Sequence, residues 1–291
     1  MMLSLPQQPP ASLSRPRLAR QPGARPRLQA SLSRSSCPSL RRVRAQAARG
    51  RPAAPPPDDT SSRLVFGASW TALVAYAALL APNQTPLRDS YFLEKVLGLG
   101  IDNVPLNDVF FSLFMVMGVW PAVYASLLIP SAKSGNGVPA WPFVTASFAA
   151  GAFALLPFFA LWTPPAEPAA PPSPRELEEG GLRTVIPRVL ESRLLAGFLL
   201  AVATGLGAKA LLSGGPGWYE FGRLFRESRL VHVTSVDFMT LSLCAPLWVL
   251  NDARARSWDP PALLPLALTP LFGPLLYLNL RSWRAADESD V

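Results

Sequence analysis

Residues 229–256 read RLVHVTSVDFMTLSLCAPLWVLNDARAR, and the reading of this stretch decides the fold. It is an apolar run of membrane length. It carries a histidine, His232, near its entry, a carboxylate, Asp237, further in, and Asn251 and Asp252 at its exit, with Arg254 and Arg256 just beyond. An ionisable group is costly inside a segment that crosses lipid, so it either sits at an interface or is kept for use. Asp237 is therefore the first candidate functional residue. Its bland alternative is a hydrogen bond with Thr234, Ser235 or a backbone group of another helix. For His232 the alternative is a ring at headgroup level. Asn251, Asp252 and the arginines after them read as a helix-end cap meeting lipid headgroups.

Five more segments have the same character, since a spanning helix needs about 20 mostly apolar residues. They run from Leu64 to Ala81, Asp108 to Ile129, Pro142 to Trp162, Leu194 to Leu212 and Ala262 to Leu280, with Val231 to Leu250 as the fifth of six in chain order. The composition agrees, with 49% hydrophobic and only 16% charged residues. The expected fold class is an all-α integral membrane bundle of about six transmembrane helices. Prolines inside the segments predict kinks near Pro121, Pro157, Pro246 and Pro274. Trp120, Trp141, Trp162, Trp218, Trp248, Trp258 and Trp283 fall mostly at segment ends, as an interfacial belt would. Short amphipathic pieces at 91–97 and 218–227 read as helices lying on the membrane surface.

The charge sits apart from these segments. The net charge is +8, but residues 1–57 hold eleven Arg and no acid, which leaves 16 basic against 19 acidic residues elsewhere. Residues 1–50, rich in Arg, Ser, Ala, Pro and Leu, have the make-up of a plastid transit peptide, with processing expected near Ala45. The basic arm has no aromatic to stack a base, so no nucleic-acid partner is expected. The remaining boundaries are a lead-in at 51–63, a first membrane half at 64–162, a Pro-rich linker and charged surface helix at 163–192, a second half at 193–284 and a tail at 285–291. The halves echo one another at an offset of about 129 residues. Asp108-Val109-Phe110-Phe111 opens one segment and Asp237-Phe238-Met239 lies early in another. Three spans per half makes a 3+3 inverted repeat one reading, with Asp108 the counterpart of Asp237.

The motifs HVTSVDF (232–238), APLWVLND (245–252) and GPLLYLNLR (273–281) resemble a family of multi-pass membrane proteins of plant and algal chloroplasts and of cyanobacteria. The resemblance covers chiefly the C-terminal third. It implies a plastid membrane location and carries no catalytic residue across.

Most enzyme chemistry is excluded by inventory. His232 and Asp237 are five residues apart, about 140° around a helix, so they are not a natural metal or acid–base pair. One histidine cannot supply a di-iron or desaturase site, and no zinc or iron–sulfur spacing exists for the two cysteines. No cofactor and no metal is expected, and the expected partners are the lipid bilayer and other plastid membrane proteins. The leading expectation is a non-enzymatic protein of the thylakoid or inner envelope, either transporter-like or an accessory and assembly factor. The alternative is a membrane enzyme acting on a lipid or isoprenoid through Asp237 and His232.

Overall fold

The computed structural model describes residues 60–99, 102, 104–165, 171–258 and 263–281. The transit-peptide and tail assignments lie outside the described residues. Among the described residues every regular element is helical. The first half holds α1 (Thr60–Ala75, prolonged by a π-helical turn Tyr76–Leu80), α2 (Pro86–Val96), α3 (Asp108–Ser131) and α4 (Trp141–Leu161). A connector follows with α5 (Pro174–Glu179), a 3-10 turn Gly181–Thr184 and α6 (Val185–Leu190). The second half holds α7 (Arg193–Leu212), α8 (Gly214–Glu227), α9 (Arg229–Ala255), α10 (Leu263–Ala267) and α11 (Phe272–Leu280). Polar side chains start the long helices. Asn107 accepts from the Val109 and Phe110 amides, Ser192 from Leu194 and Ser228 from Val231, which satisfies donors that have no partner inside the helix.

Five of these helices are long and apolar enough to cross a membrane: Thr60–Leu80, α3, α4, α7 and α9. Exposed Leu79, Leu194, Leu211 and Leu243 give the bundle the apolar exterior that lipid requires. The integral membrane bundle is as expected, but two of the six segments differ from plain spans.

The first is α4. Gly151 has φ 49° and ψ −126°, which is not helical, and the helix turns back on itself there. Phe143 and Phe158 have ring centroids 5.6 Å apart, whereas a straight helix would separate them by about 22 Å. The Asn136 side chain donates to the Leu161 carbonyl at 2.8 Å. The chain from Asn136 to Trp141 reaches at most about 18 Å, too short to bridge a straight helix of about 30 Å. Both ends of α4 therefore lie at one end of the bundle, and Gly151 is the tip of a hairpin. The break falls at Gly151 and not at Pro157. Only Gly takes this conformation cheaply, whereas the Phe153 carbonyl freed by Pro157 is satisfied by the Trp70 indole N–H at 2.9 Å. Pro121 and Pro246 lie inside α3 and α9, and Pro274 sits in the first turn of α11, where its missing N–H costs nothing.

The second is the last segment. It is not one helix but α10 and α11, divided by a turn at Leu268–Leu271 in which Leu271 has φ 59°. A Cβ on Gly273 would run into the Leu266 carbonyl, so the two pieces meet closely. Trp258, before α10, stacks on Tyr277 near the end of α11 at 5.5 Å. This segment also leaves by the end at which it entered.

The order is thus the same in both halves: a traversing helix, a short surface helix, a second traversing helix and a re-entrant pair. The inverted repeat, one reading of the sequence, is not what the halves form. Two traversing helices per half return the chain to its starting side, so the halves run in the same direction. α3 and α9 lie side by side and parallel: Phe110 clusters with Val231, Trp120 meets Phe238 at 6.1 Å and Tyr124 donates to the Leu241 carbonyl at 2.6 Å. We call the two ends of the bundle the His232 end and the Glu191 end. α2 and α8 lie at the former and both hairpins enter from the latter. Trp120 and Trp248 are buried, not interfacial; Trp248 sits among Phe158, Phe159 and Trp162. The charged helix expected at 176–192 is divided into α5, the 3-10 turn and α6, and its last acid, Glu191, is buried.

Candidate functional site

The hairpin tip of α4 meets Asp237. The Asp237 carboxylate accepts the Ala152 amide N–H at 2.7 Å and is 8% exposed. Ala152 opens the returning half of the hairpin, whose first amides have no partner within the helix. The carboxylate therefore closes a backbone break inside the bundle, at the positive end of a half-helix. A Cβ on Gly151 would collide with this carboxylate. The glycine is thus required twice, for its positive φ and for its lack of a side chain. The bond is one of the alternatives the sequence allowed, to a backbone group of another helix. The tip itself had no sequence signal beyond a glycine in an apolar run.

His232 is placed elsewhere. Its Nδ1 lies 2.8 Å from the Phe225 carbonyl, which can only accept, so Nδ1 carries the proton. Its Nε2 then accepts from the Tyr76 hydroxyl at 2.7 Å. His232 so ties α1, α8 and α9 together, while Asp237 faces α4. The two side chains are not brought together on common partners. Asp108 is about half exposed and pairs with Lys209 at 2.6 Å, an environment unlike that of Asp237. Asn251 is half-buried on α9.

Asp252 departs most from expectation. It is 0% exposed and belongs to a buried ion-pair network at the Glu191 end. It accepts from Arg256 Nε at 2.8 Å and from the Tyr277 hydroxyl at 2.6 Å, and pairs with Arg281 at 3.4 Å. Glu191 bridges the same two arginines, at 2.6 Å to Arg256 and 3.3 Å to Arg281. Arg281 also donates to the Ser126 and Leu190 carbonyls. Burial works against the Arg256 charge, but the Asp252 and Glu191 carboxylates outweigh it and hold the guanidinium protonated above its usual range. Two guanidinium and two carboxylate groups make the cluster neutral, and it clamps α3, α6, α9 and α11. A headgroup-facing cap, as the sequence suggested, would have left these groups in water. Among the described residues no three His, Cys, Asp or Glu side chains gather to hold a metal.

Comparisons of the chain with family models, with curated proteins and with solved structures find no match.

Proposed function

We propose that this chain is a transporter-like multi-pass protein of a chloroplast membrane, thylakoid or inner envelope, in which Asp237 handles a proton or cation. The observation that carries the reading is the pair of re-entrant hairpins in corresponding places of two parallel halves, one of them with its tip on a buried carboxylate. Lipid tolerates irregular backbone only where protein or a water-lined path covers it, and carriers place their sites at such breaks between repeated halves. The acid-free, Arg-rich residues 1–50 support the plastid address. The enzyme reading needs His232 and Asp237 on one substrate, and their separate partners disfavour it.

The test uses inside-out vesicles from cells expressing the chain, with respiration driving a proton gradient reported by an acridine dye. Inorganic cations, anions, organic acids, sugars and amino acids are added in turn. At least one class restores fluorescence with the native chain and none with Asp237→Asn, which keeps an acceptor for the Ala152 amide but cannot ionise. No response to any class, with folded protein in the vesicles, overturns the carrier reading. A response undiminished in Asp237→Asn removes Asp237 from it.

A further inference from the structure

The connector before α7 is built inside out. Leu182, Val185, Ile186 and Val189 follow the i, i+3, i+4, i+7 spacing that puts side chains on one face of a helix. All four are exposed, Leu182 at 92% and Ile186 at 64%. Thr184, Arg188 and Glu191 fall on the opposite face, and these polar groups turn towards protein. Thr184 donates to the Leu177 carbonyl at 2.9 Å, Arg188 donates to the same carbonyl, and Glu191 is buried against Arg256 and Arg281. A surface helix in water does the reverse, with its apolar stripe on the core and its charges outside.

The depth of the connector decides what its apolar face meets. α6 packs on α3. Arg281 donates to the Leu190 carbonyl at the end of α6, at 2.8 Å, and to the Ser126 carbonyl of α3, at 2.9 Å, so the two carbonyls stand level. Ser126 lies about 7 Å before the end of α3 at Ser131. α3 is about 36 Å long and, centred on a hydrocarbon core of about 30 Å, overshoots it by about 3 Å on each side. The end of α6 therefore stands at the edge of the hydrocarbon and not in the water beyond it. Leu194, 85% exposed, follows on the lipid-facing side of α7, so the strip runs into the apolar exterior of the bundle. Arg193, exposed between the two, puts a cation at a helix N-terminus, where the helix dipole disfavours it and an external anion stabilises it.

We infer that residues 182–193 are an in-plane membrane anchor: Leu182, Val185, Ile186 and Val189 enter the acyl boundary of the leaflet at the Glu191 end, and Arg193 meets an anionic headgroup. The partner is the bilayer surface itself. Glu191 ends the inner face of the same segment, so the anchor holds the buried ion-pair cluster at a set height in the membrane. The inference is independent of the carrier reading, because it concerns the connector and leaves Asp237 out.

The test uses the full chain, carrying Cys37→Ser and Cys244→Ala, in nanodiscs of phosphatidylcholine and phosphatidylglycerol. Ile186→Cys bears an NBD fluorophore, and Val189→Cys repeats the measurement from the same face. The label emits to the blue of NBD-glutathione in water. A nitroxide near the headgroup end of the lipid acyl chain quenches it strongly, and aqueous iodide quenches it weakly. The nitroxide quenches at least about twice as well on phosphatidylglycerol as on phosphatidylcholine at equal mole fraction, since one cation at the surface enriches anionic lipid about fivefold. Arg193→Gln makes the two lipids equal. Dominant iodide quenching means that the strip faces water and overturns the anchor. A blue-shifted label that neither quencher reaches means that protein covers the strip, as a second copy of the chain would, and overturns the lipid assignment. Equal quenching by the two lipids with Arg193 in place overturns the role of Arg193.

Discussion

Removing one carboxylate from the Glu191 end is the most exacting test of the fold. Asp252→Asn keeps the shape of the side chain and leaves Arg256 and Arg281 facing Glu191 alone. The site is sealed, since Asp252 and Glu191 have side chains at most 1% exposed and the arginines at most 5%. Breaking a buried pair from one side costs about 3–5 kcal/mol, because a charge is left without its partner. At roughly 2–4 °C per kcal/mol for a chain of this size, the melting temperature falls by roughly 6–20 °C. Thermal unfolding in detergent micelles, followed by tryptophan fluorescence, reads this, and Trp258 stacked on Tyr277 stands beside the lesion. The neutral count gives a second, sharper expectation. Glu191→Gln and Arg281→Gln are each severe alone, but together they remove one charge of each sign. The double variant therefore loses less than the two single losses added, by about 0.5–3 kcal/mol. A single-variant loss below about 1 kcal/mol, or strict additivity, would refute a sealed and mutually compensated cluster.

Gly151→Ala imposes a left-handed conformation on a residue with a side chain and displaces Asp237, so it costs about 2–4 kcal/mol by the same thermal assay. Placed in an Asp237→Ala background it costs less, and an equal cost in both backgrounds would sink the proposed contact. Tags placed in the 164–175 linker and after Val291 share one response to protease in sealed vesicles carrying the chain, both cut or both protected, because both re-entrant segments return to the Glu191 end. Opposite protection would mean that one hairpin crosses. Tyr76→Phe strips the hydroxyl from His232 Nε2 and lowers stability by about 1 kcal/mol; a neutral result would mean that water replaces the bond.

Hydropathy made the helical membrane bundle legible, because length and apolarity are read directly from residues such as those of 108–129 and 194–212. It could not separate a span from a hairpin. Residues 142–162 are as apolar as a true span, and what folds them back is one positive φ at Gly151 and one amide of Ala152 met by a carboxylate 85 residues later. That misreading made two extra crossings and so inverted the second half. Asp252 was singled out for its type, but its partners Glu191, Tyr277 and Arg281 are distant in sequence, and no local pattern joins them. Tryptophan was misleading for the same reason. Trp120 and Trp248 sit in the aromatic core, and nothing in their spacing distinguishes them from the exposed Trp141.

The pairing of Ala152 with Asp237 also sets an order of assembly. The traversing helices satisfy their own backbone and can enter the bilayer singly. The tip of the first hairpin cannot, because the group that completes it lies 85 residues further along the chain. Until α9 stands beside it the turn is bare, and lipid does not accept a bare turn. The first hairpin therefore docks only after the second half is in place, and a chain cut short of α9 leaves it without a closed tip.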